Sequence, residues 1–384
     1  MIKPAYQGAA LCRVIPWALR ALGWSNQIAV TDCVADPDWV AELADQPARA
    51  LCLVLVDGLG WQQLAARLGH APFLRQLTAQ TLTCGFPSTT AASLGSLGTG
   101  QPPGKTGLAG YRLRDPATGE ITSLIGWETS TAPDVWQVQP TWFERLAAAD
   151  RPVSQIGRPK FANSGLTLAA FRGSRFHAAE TVEQRLAACV SAVKQALQQA
   201  EPPGSLVYFY WGDLDRAGHH EGWQSERWCT ALETLDRAIS QLRQRLPADV
   251  LIWLTADHGM VDTPPGPRWD VAATAELAEG VDQVAGEPRA LHLYGQDPSA
   301  IAARWQSCLA EHAWVLTKTQ AIEHGLFGQT VTDHVKPMLG DVIVAMAGTA
   351  EVVDSRTASV DALAMRGHHG SLTAGEMTVP LLFA

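Results

Sequence analysis

Four segments of this chain carry residue types that bind divalent metals. LIWLTADHGM reaches Asp257 and His258, LCLVLVDGLG reaches Asp57, and SLVYFYWGDLDRAGHHEG reaches Asp213, Asp215, His219 and His220. Late in the chain, RGHHGSLTAGEMTVPLL adds His368 and His369. The first three begin with apolar runs long enough for a buried strand and stop at a turn. In open α/β sheets, ligands bind in the crevice outside the carboxyl ends of the strands. Each piece alone has a plain structural explanation: Asp-Gly after a strand is an ordinary turn, and a histidine pair is ordinary solvated surface. Together they point to carboxylates and imidazoles converging on divalent metals. Such ligands without thiolate suit zinc, with manganese as the competitor.

A fifth segment supplies hydroxyls. In CGFPSTTAASLGSLGTGQPPGKTG, Ser88, Thr89 and Thr90 lead into a helix start, where free backbone N–H groups and the helix dipole favour an anion. One of these residues can simply cap the helix. Beside a metal pair, a hydroxyl in this place can instead be an activated nucleophile. Two metals about 4 Å apart can clamp an in-line phosphoryl displacement.

The elements that must position these groups alternate. Apolar runs predict strands over 51–56, 121–126, 153–157, 206–211 and 250–255. Helices are expected over 61–68, over the small-residue stretch 88–98, and over 180–200 and 225–246, where apolar residues recur at spacings of three and four. Alternating strands and helices imply an α/β fold, a mostly parallel sheet with helices on both faces. Residues 1–50 read as an irregular, partly helical lead-in. The stretch 266–362 has a different character: a Pro-rich opening at 262–270, strands at 289–294 and 341–348, and a helix at 299–313. It reads as a small α+β cap inserted into a core made of 1–265 and 363–384.

Composition bounds the function. Of 384 residues, 47% are hydrophobic and 17% charged, so a large core can be buried. A net charge of -9 argues against a nucleic-acid groove. It does not exclude an anionic substrate, because bound divalent cations reverse the local field. The seven cysteines lack a CxxC and fit reduced thiols. No secretory h-region or membrane-spanning stretch is visible, so a cytoplasmic protein is expected.

The motif order Asp-Gly, FPxxT, DxxGHxxG, ADHGM and GxHG resembles the type I phosphodiesterase/nucleotide pyrophosphatase family of the alkaline phosphatase superfamily, over 57–370. The resemblance implies an alkaline-phosphatase-like fold and a two-metal phosphoesterase acting on a small phosphoester or nucleotide. Thr90, the last residue of FPSTT, is the implied nucleophile. Asp57, Thr90, Asp257 and His258 are implied around one metal, and Asp215, His219 and His369 around the other. Motif register makes Asp213, His220 and His368 the near neighbours rather than the ligands. The implied reaction is attack of the Thr90 oxygen on phosphorus, followed by hydrolysis of the phospho-threonine.

One feature departs from the family. Nucleotide pyrophosphatases place an asparagine about two dozen residues after the nucleophile, where it holds a phosphoryl oxygen. Here GLAGYRLRDP has no asparagine, and Tyr111 falls near that place, with Arg112 and Arg114 beside it. Tyr111 either donates a hydrogen bond to the substrate or packs in the cap. Arg158 and Lys160 either touch phosphate or are solvated loop charges. A phosphomonoesterase with the same core is the nearest alternative, and a metal-dependent phosphomutase is a further one. Oligomeric state is not legible.

Overall fold

The central strand, Ala50–Val56, is buried at every residue. Successive side chains of a strand point to opposite faces, so both faces of the sheet are covered here. This computed structural model describes residues 1–24, 37, 39–40, 48–151, 153–199, 204–264 and 266–384. Seven strands form the main sheet, in the order Thr78–Thr83, Thr378–Phe383, Val250–Thr255, Ala50–Val56, Leu206–Trp211, Val153–Gly157 and Arg175–Ala178. The last five are mutually parallel, and Thr378–Phe383 runs antiparallel to both its neighbours. The fold is therefore the expected α/β one, a mostly parallel sheet with packed helices.

Register brings the chemistry to one edge. Val56 stands opposite Trp211, and Leu55 opposite Thr255. The three central strands thus end level. Asp57, Asp213, Asp215 and Asp257 all follow within a few residues of those ends.

Long helices lie over Val182–Gln199 and Glu226–Arg245, the latter burying Trp228, Leu232, Leu235, Ile239 and Leu242 at helical spacing. The helix Thr90–Thr99 is buried along nearly its whole length, which its Ala, Gly and Ser content permits. In the lead-in, Val14–Ala21 is a largely buried helix; the reading made for 25–36, 38 and 41–47 falls outside the described residues.

Within 266–362, Gln283–Glu287, Ala290–Tyr294, Val342–Met346 and Ala313–Thr317 form a four-stranded antiparallel sheet. Its own apolar cluster includes Val271, Leu293, Trp305 and Val344. The helix Pro298–Leu309 packs on Ala313–Thr317.

Several expectations need correction. The strand placed at 121–126 is only Ile121–Ser123, paired with Arg112–Arg114 in a hairpin outside the main sheet. It stops early because the chain turns through Gly126 to Trp127, which has a φ of 55°. The helix expected over 61–68 ends at Ala66 and continues as a 3-10 turn, Leu68–His70. Three strands of the main sheet escaped prediction. Thr78–Thr83 and Arg175–Ala178 are its two edges, partly exposed and polar, and Thr378–Phe383 carries Pro380, which argues against a strand from sequence.

The described cysteines are free thiols. Cys33 falls outside the described residues. No helix among the described residues is long and apolar enough to cross a membrane.

Candidate metal centre

Three aspartates and three histidines meet at the carboxyl edge of the sheet. Asp57 follows the central strand, and Gly58 turns the chain with a φ of 75°. A Cβ on Gly58 would stand 2.9 Å from the Asp215 Cα, so glycine permits that approach. Asp215 and His219 lie one turn apart on the helix Asp213–Glu221, with Nε2 of His219 3.3 Å from Oδ1 of Asp215. Nε2 of His369 is 3.7 Å from the same oxygen. Asp257 and His258 are fully buried, and Nε2 of His258 lies 3.4 Å from Oδ1 of Asp57 and 3.6 Å from Oδ2 of Asp257.

Hydrogen bonding orients five of these six side chains. Asp257 uses Oδ1 to accept the backbone N–H groups of Gly58 and His258, at 3.1 and 3.0 Å. Asp57 accepts the Tyr210 hydroxyl on Oδ2. What remains is one buried oxygen on each carboxylate, Oδ1 of Asp57, Oδ1 of Asp215 and Oδ2 of Asp257, with no hydrogen-bond partner. The imidazoles are complementary. Nδ1 of His219, His258 and His369 contacts the backbone carbonyls of Gly367, Gly259 and Ser88, at 2.7, 3.0 and 3.0 Å. A carbonyl only accepts, so each Nδ1 carries a proton, and in the neutral imidazole each Nε2 then presents a lone pair.

Lone pairs on nitrogen therefore face bare carboxylate oxygens across 3.3–3.7 Å. That arrangement is repulsive unless a proton or a metal ion stands between them, and an Nδ1–H held by a carbonyl is how metal-ligating histidines are oriented. Asp57, Asp257 and His258 offer ligand atoms close enough to share one ion, and so do Asp215, His258 and His369. The second group differs from the one implied by motif, in which His219 stood in place of His258. His219 lies alongside, its ring centroid 5.1 Å from that of His369. His258 sits between the two groups, its ring stacked on His369 at 3.6 Å.

The electrostatics agree with a cation-binding site. Burial, then repulsion from Asp257 and Asp215, pushes the Asp57 carboxyl well above the usual range. Burial also raises the Asp257 carboxyl, against the opposing pull of His258. Burial, then the neighbouring His258 and His219, depresses His369. Divalent cations would offset each of these costs.

Thr90 is the first residue of the helix Thr90–Thr99, and its Oγ1 is 3.2 Å from Nε2 of His258. The other two hydroxyls are engaged elsewhere: Ser88 donates to the Ser371 carbonyl at 2.7 Å and Thr89 to Glu287 at 3.2 Å. Thr89 occupies the cap position, yet its side chain does not cap the helix.

The near neighbours point away from both groups. Asp213 is engaged by Arg158, Arg216 and Arg185 at 2.6, 2.8 and 3.4 Å. Burial opposes its ionisation, but the arginines prevail and hold its carboxyl below the usual range. His220 is exposed. His368 is buried, with Nε2 3.4 Å from Glu351. Asp215→Ala should accordingly cost roughly tenfold more activity than Asp213→Ala, and His369→Ala more than His368→Ala by a similar factor. Steady-state turnover of the four variants checks this, and equal losses within each pair would contradict the register.

A cavity of about 690 Å³ opens over the centre between the sheet edge and the 266–362 segment. Tyr111, Arg112, Arg158 and Lys160 line it, as do the apolar Ile125, Phe161, Leu291 and Met365. Tyr111 is 38% exposed. Sequence reasoning missed two residues here. Tyr210 looks like one more aromatic of a buried strand, and Glu287 belongs to no motif.

A model of the type I phosphodiesterase/nucleotide pyrophosphatase family matches residues 51–372. No curated relative matches the sequence. Among solved structures, murine ectonucleotide pyrophosphatase/phosphodiesterase 5 superposes with a TM-score of 0.66 at 15% identity, over 86% of this chain and 87% of that one. An inactive threonine-to-alanine form of the same murine protein, in complex with AMP, gives 0.65 at 14% identity over 86% and 87%. Phosphonoacetate hydrolase from Sinorhizobium meliloti 1021, in complex with phosphonoformate, gives 0.65 at 19% identity over 88% and 90%. At these identities the likeness is one of fold.

Proposed function

The chain belongs to the type I phosphodiesterase/nucleotide pyrophosphatase family of the alkaline phosphatase superfamily, and we propose that it hydrolyses phosphodiester or nucleotide pyrophosphate bonds through a phospho-threonine on Thr90 at a two-zinc centre. The observation that carries this reading is the set of Nε2 lone pairs facing unpartnered carboxylate oxygens, with the Thr90 hydroxyl at their edge. Asp57, Asp257, His258 and Thr90 would hold one ion, and Asp215, His219 and His369 the other, His258 being near enough to serve either. Zinc suits these ligands best, with manganese as the alternative. Bound divalent ions would lower the pKa of the Thr90 hydroxyl and neutralise phosphoryl charge.

The chain's own groups do the rest. The Thr90 oxygen attacks phosphorus, the first-turn N–H groups of its helix receive the phosphoryl oxygens, and the leaving alcohol or phosphate departs into the cavity. Water then cleaves the phospho-threonine. Tyr111 supplies a hydrogen bond where nucleotide pyrophosphatases use asparagine. That the murine relative is inactive as a threonine-to-alanine form supports the nucleophile. In this reading 1–265 and 363–384 are the catalytic core, 266–362 is an inserted cap, the substrate is a small phosphoester or nucleotide, and the protein is cytoplasmic with no nucleic-acid groove.

A second reading, phosphomonoesterase, has one observation in its favour. Arg112 and Lys160 line the cavity without an ion-pair partner among the described residues, and cations reaching terminal phosphate oxygens favour a dianionic substrate. Comparing kcat/KM for bis-p-nitrophenyl phosphate and p-nitrophenyl phosphate separates the two. The diesterase reading expects at least a roughly tenfold preference for the diester, a difference of about 1.4 kcal/mol in transition-state binding. A preference of that size for the monoester, lost in Lys160→Ala, would replace it with the second reading.

A further inference from the structure

The 266–362 segment enters the metal centre through one hairpin tip. Gln283–Glu287 and Ala290–Tyr294 are joined by Pro288 and Arg289. Arg289 is fully buried and grips Glu376 with two bonds of 3.0 and 2.7 Å. It also donates to the carbonyls of Ala350 and Met346. Glu376 in turn accepts the Ser371 N–H at 3.0 Å. This buried pair ties the hairpin to the segment that follows His369, so the hairpin's place does not depend on Glu287.

Glu287 lies against the other side of that segment. A Cβ on Gly370 would stand 2.9 Å from Cγ and Cδ of Glu287, so the carboxylate occupies space only glycine leaves open. Its Oε2 accepts the Thr89 hydroxyl at 3.2 Å and lies 3.5 Å from Nδ1 of His369. Its Oε1 is buried with no hydrogen-bond partner.

We propose that Glu287 is a positioning residue for the reaction, supplied by the inserted segment, that holds His369 and the start of the Thr90 helix in register with one another. The assignment rests on the metal-centre reading above. The Nδ1–H of His369 donates to the Ser88 carbonyl at 3.0 Å, and a carboxylate 3.5 Å away on the same edge adds an electrostatic hold on the ring and raises the basicity of Nε2. By engaging Thr89, the residue at the cap position, Glu287 also keeps that hydroxyl off the first-turn N–H groups, which stay free to meet a phosphoryl group. One side chain thereby sets both the His369 ligand and the anion-receiving end of the nucleophile helix.

The test uses the full chain, zinc, and two variants. Glu287→Gln keeps size and one acceptor while removing the capacity to ionise, which burial opposes in the wild type; Glu287→Ala removes both contacts. Zinc affinity is read by competition with a chromophoric chelator, together with kcat, KM and thermal unfolding. Glu287→Gln should unfold as the wild type does, while binding one of two zinc ions about 10- to 100-fold more weakly. Its kcat should fall by a comparable factor with KM little changed, a split that mere loss of packing would not give. Glu287→Ala should lose more on both counts, and Glu287→Gln decides alone if the alanine variant does not fold. Wild-type zinc affinity and kcat in Glu287→Gln would overturn the assignment and leave the metal centre standing. Zinc bound by neither wild type nor variant would overturn both.

Discussion

Thr90→Ala is expected to lower turnover on the order of 10⁴-fold while leaving the fold and most metal binding intact. The expectation rests on which hydroxyl faces the converging ligand groups. Ser88 and Thr89 both donate to fixed protein acceptors, whereas Thr90 Oγ1 faces Nε2 of His258 at 3.2 Å. The six side chains that converge on the centre remain in the variant, so the ions should still bind. Thr90→Ser should keep measurable activity, because only a methyl group is lost. Rapid acid quench of the wild type with a labelled phosphoester should leave phosphate on Thr90, and the alanine variant should carry none. Near-wild-type rates in Thr90→Ala, with Ser88→Ala or Thr89→Ala inactive, would move the nucleophile elsewhere in FPSTT.

Stripping divalent metal should abolish activity and destabilise the chain, with zinc restoring both. At free zinc about 100-fold above each dissociation constant, two ions contribute roughly 5 kcal/mol together. For a chain of 384 residues that is a fall in Tm of about 7 °C on removal. The effect has a pH signature. Asp57 and Asp257 have folded-state pKa values raised by burial, from an unfolded value of about 3.9. The metal-free folded chain then binds more protons than the unfolded chain, so its stability falls as pH rises from about 4 through the raised values. In the metal-loaded chain these carboxylates are ionised and compensated. His369 is held neutral by burial without metal and by ligation with it, so it drops out of the difference. The gap in Tm between the two forms should therefore widen from acid toward neutral pH, as calorimetry of matched samples can read. A gap independent of pH would contradict the carboxylate ligands.

How much of this was legible in the sequence follows from where each residue sits. Strands buried on both faces write themselves as unbroken apolar runs, which is why 51–56, 206–211 and 250–255 could be read directly. Edge strands such as Thr78–Thr83 bury little and leave no such trace. The run at 121–126 misled because apolar content is not enough when Gly126 and Trp127 turn the chain out of line. Asp57, Asp215 and Asp257 were legible because each follows a strand end by a few residues. Tyr210 was hidden inside a strand of aromatics, where its hydroxyl contact with Asp57 has no sequence signal. Glu287 reaches Thr89 across 198 positions of chain, and nothing in local spacing links the two. The place of His258 between the two candidate ligand groups is likewise a product of tertiary packing, since motif order assigned it to one group alone.

In the proposed mechanism the facing imidazoles and carboxylates hold two ions beside Thr90. Anomalous diffraction from crystals of the zinc-loaded chain, recorded on both sides of the zinc absorption edge, tests it most directly. Two peaks should appear only above the edge, one bounded by Asp57, Asp257, His258 and Thr90 and the other by Asp215, His219 and His369. Zinc–ligand distances should be about 2.0–2.2 Å. A single peak, or peaks removed from Asp57 and His369, would contradict it.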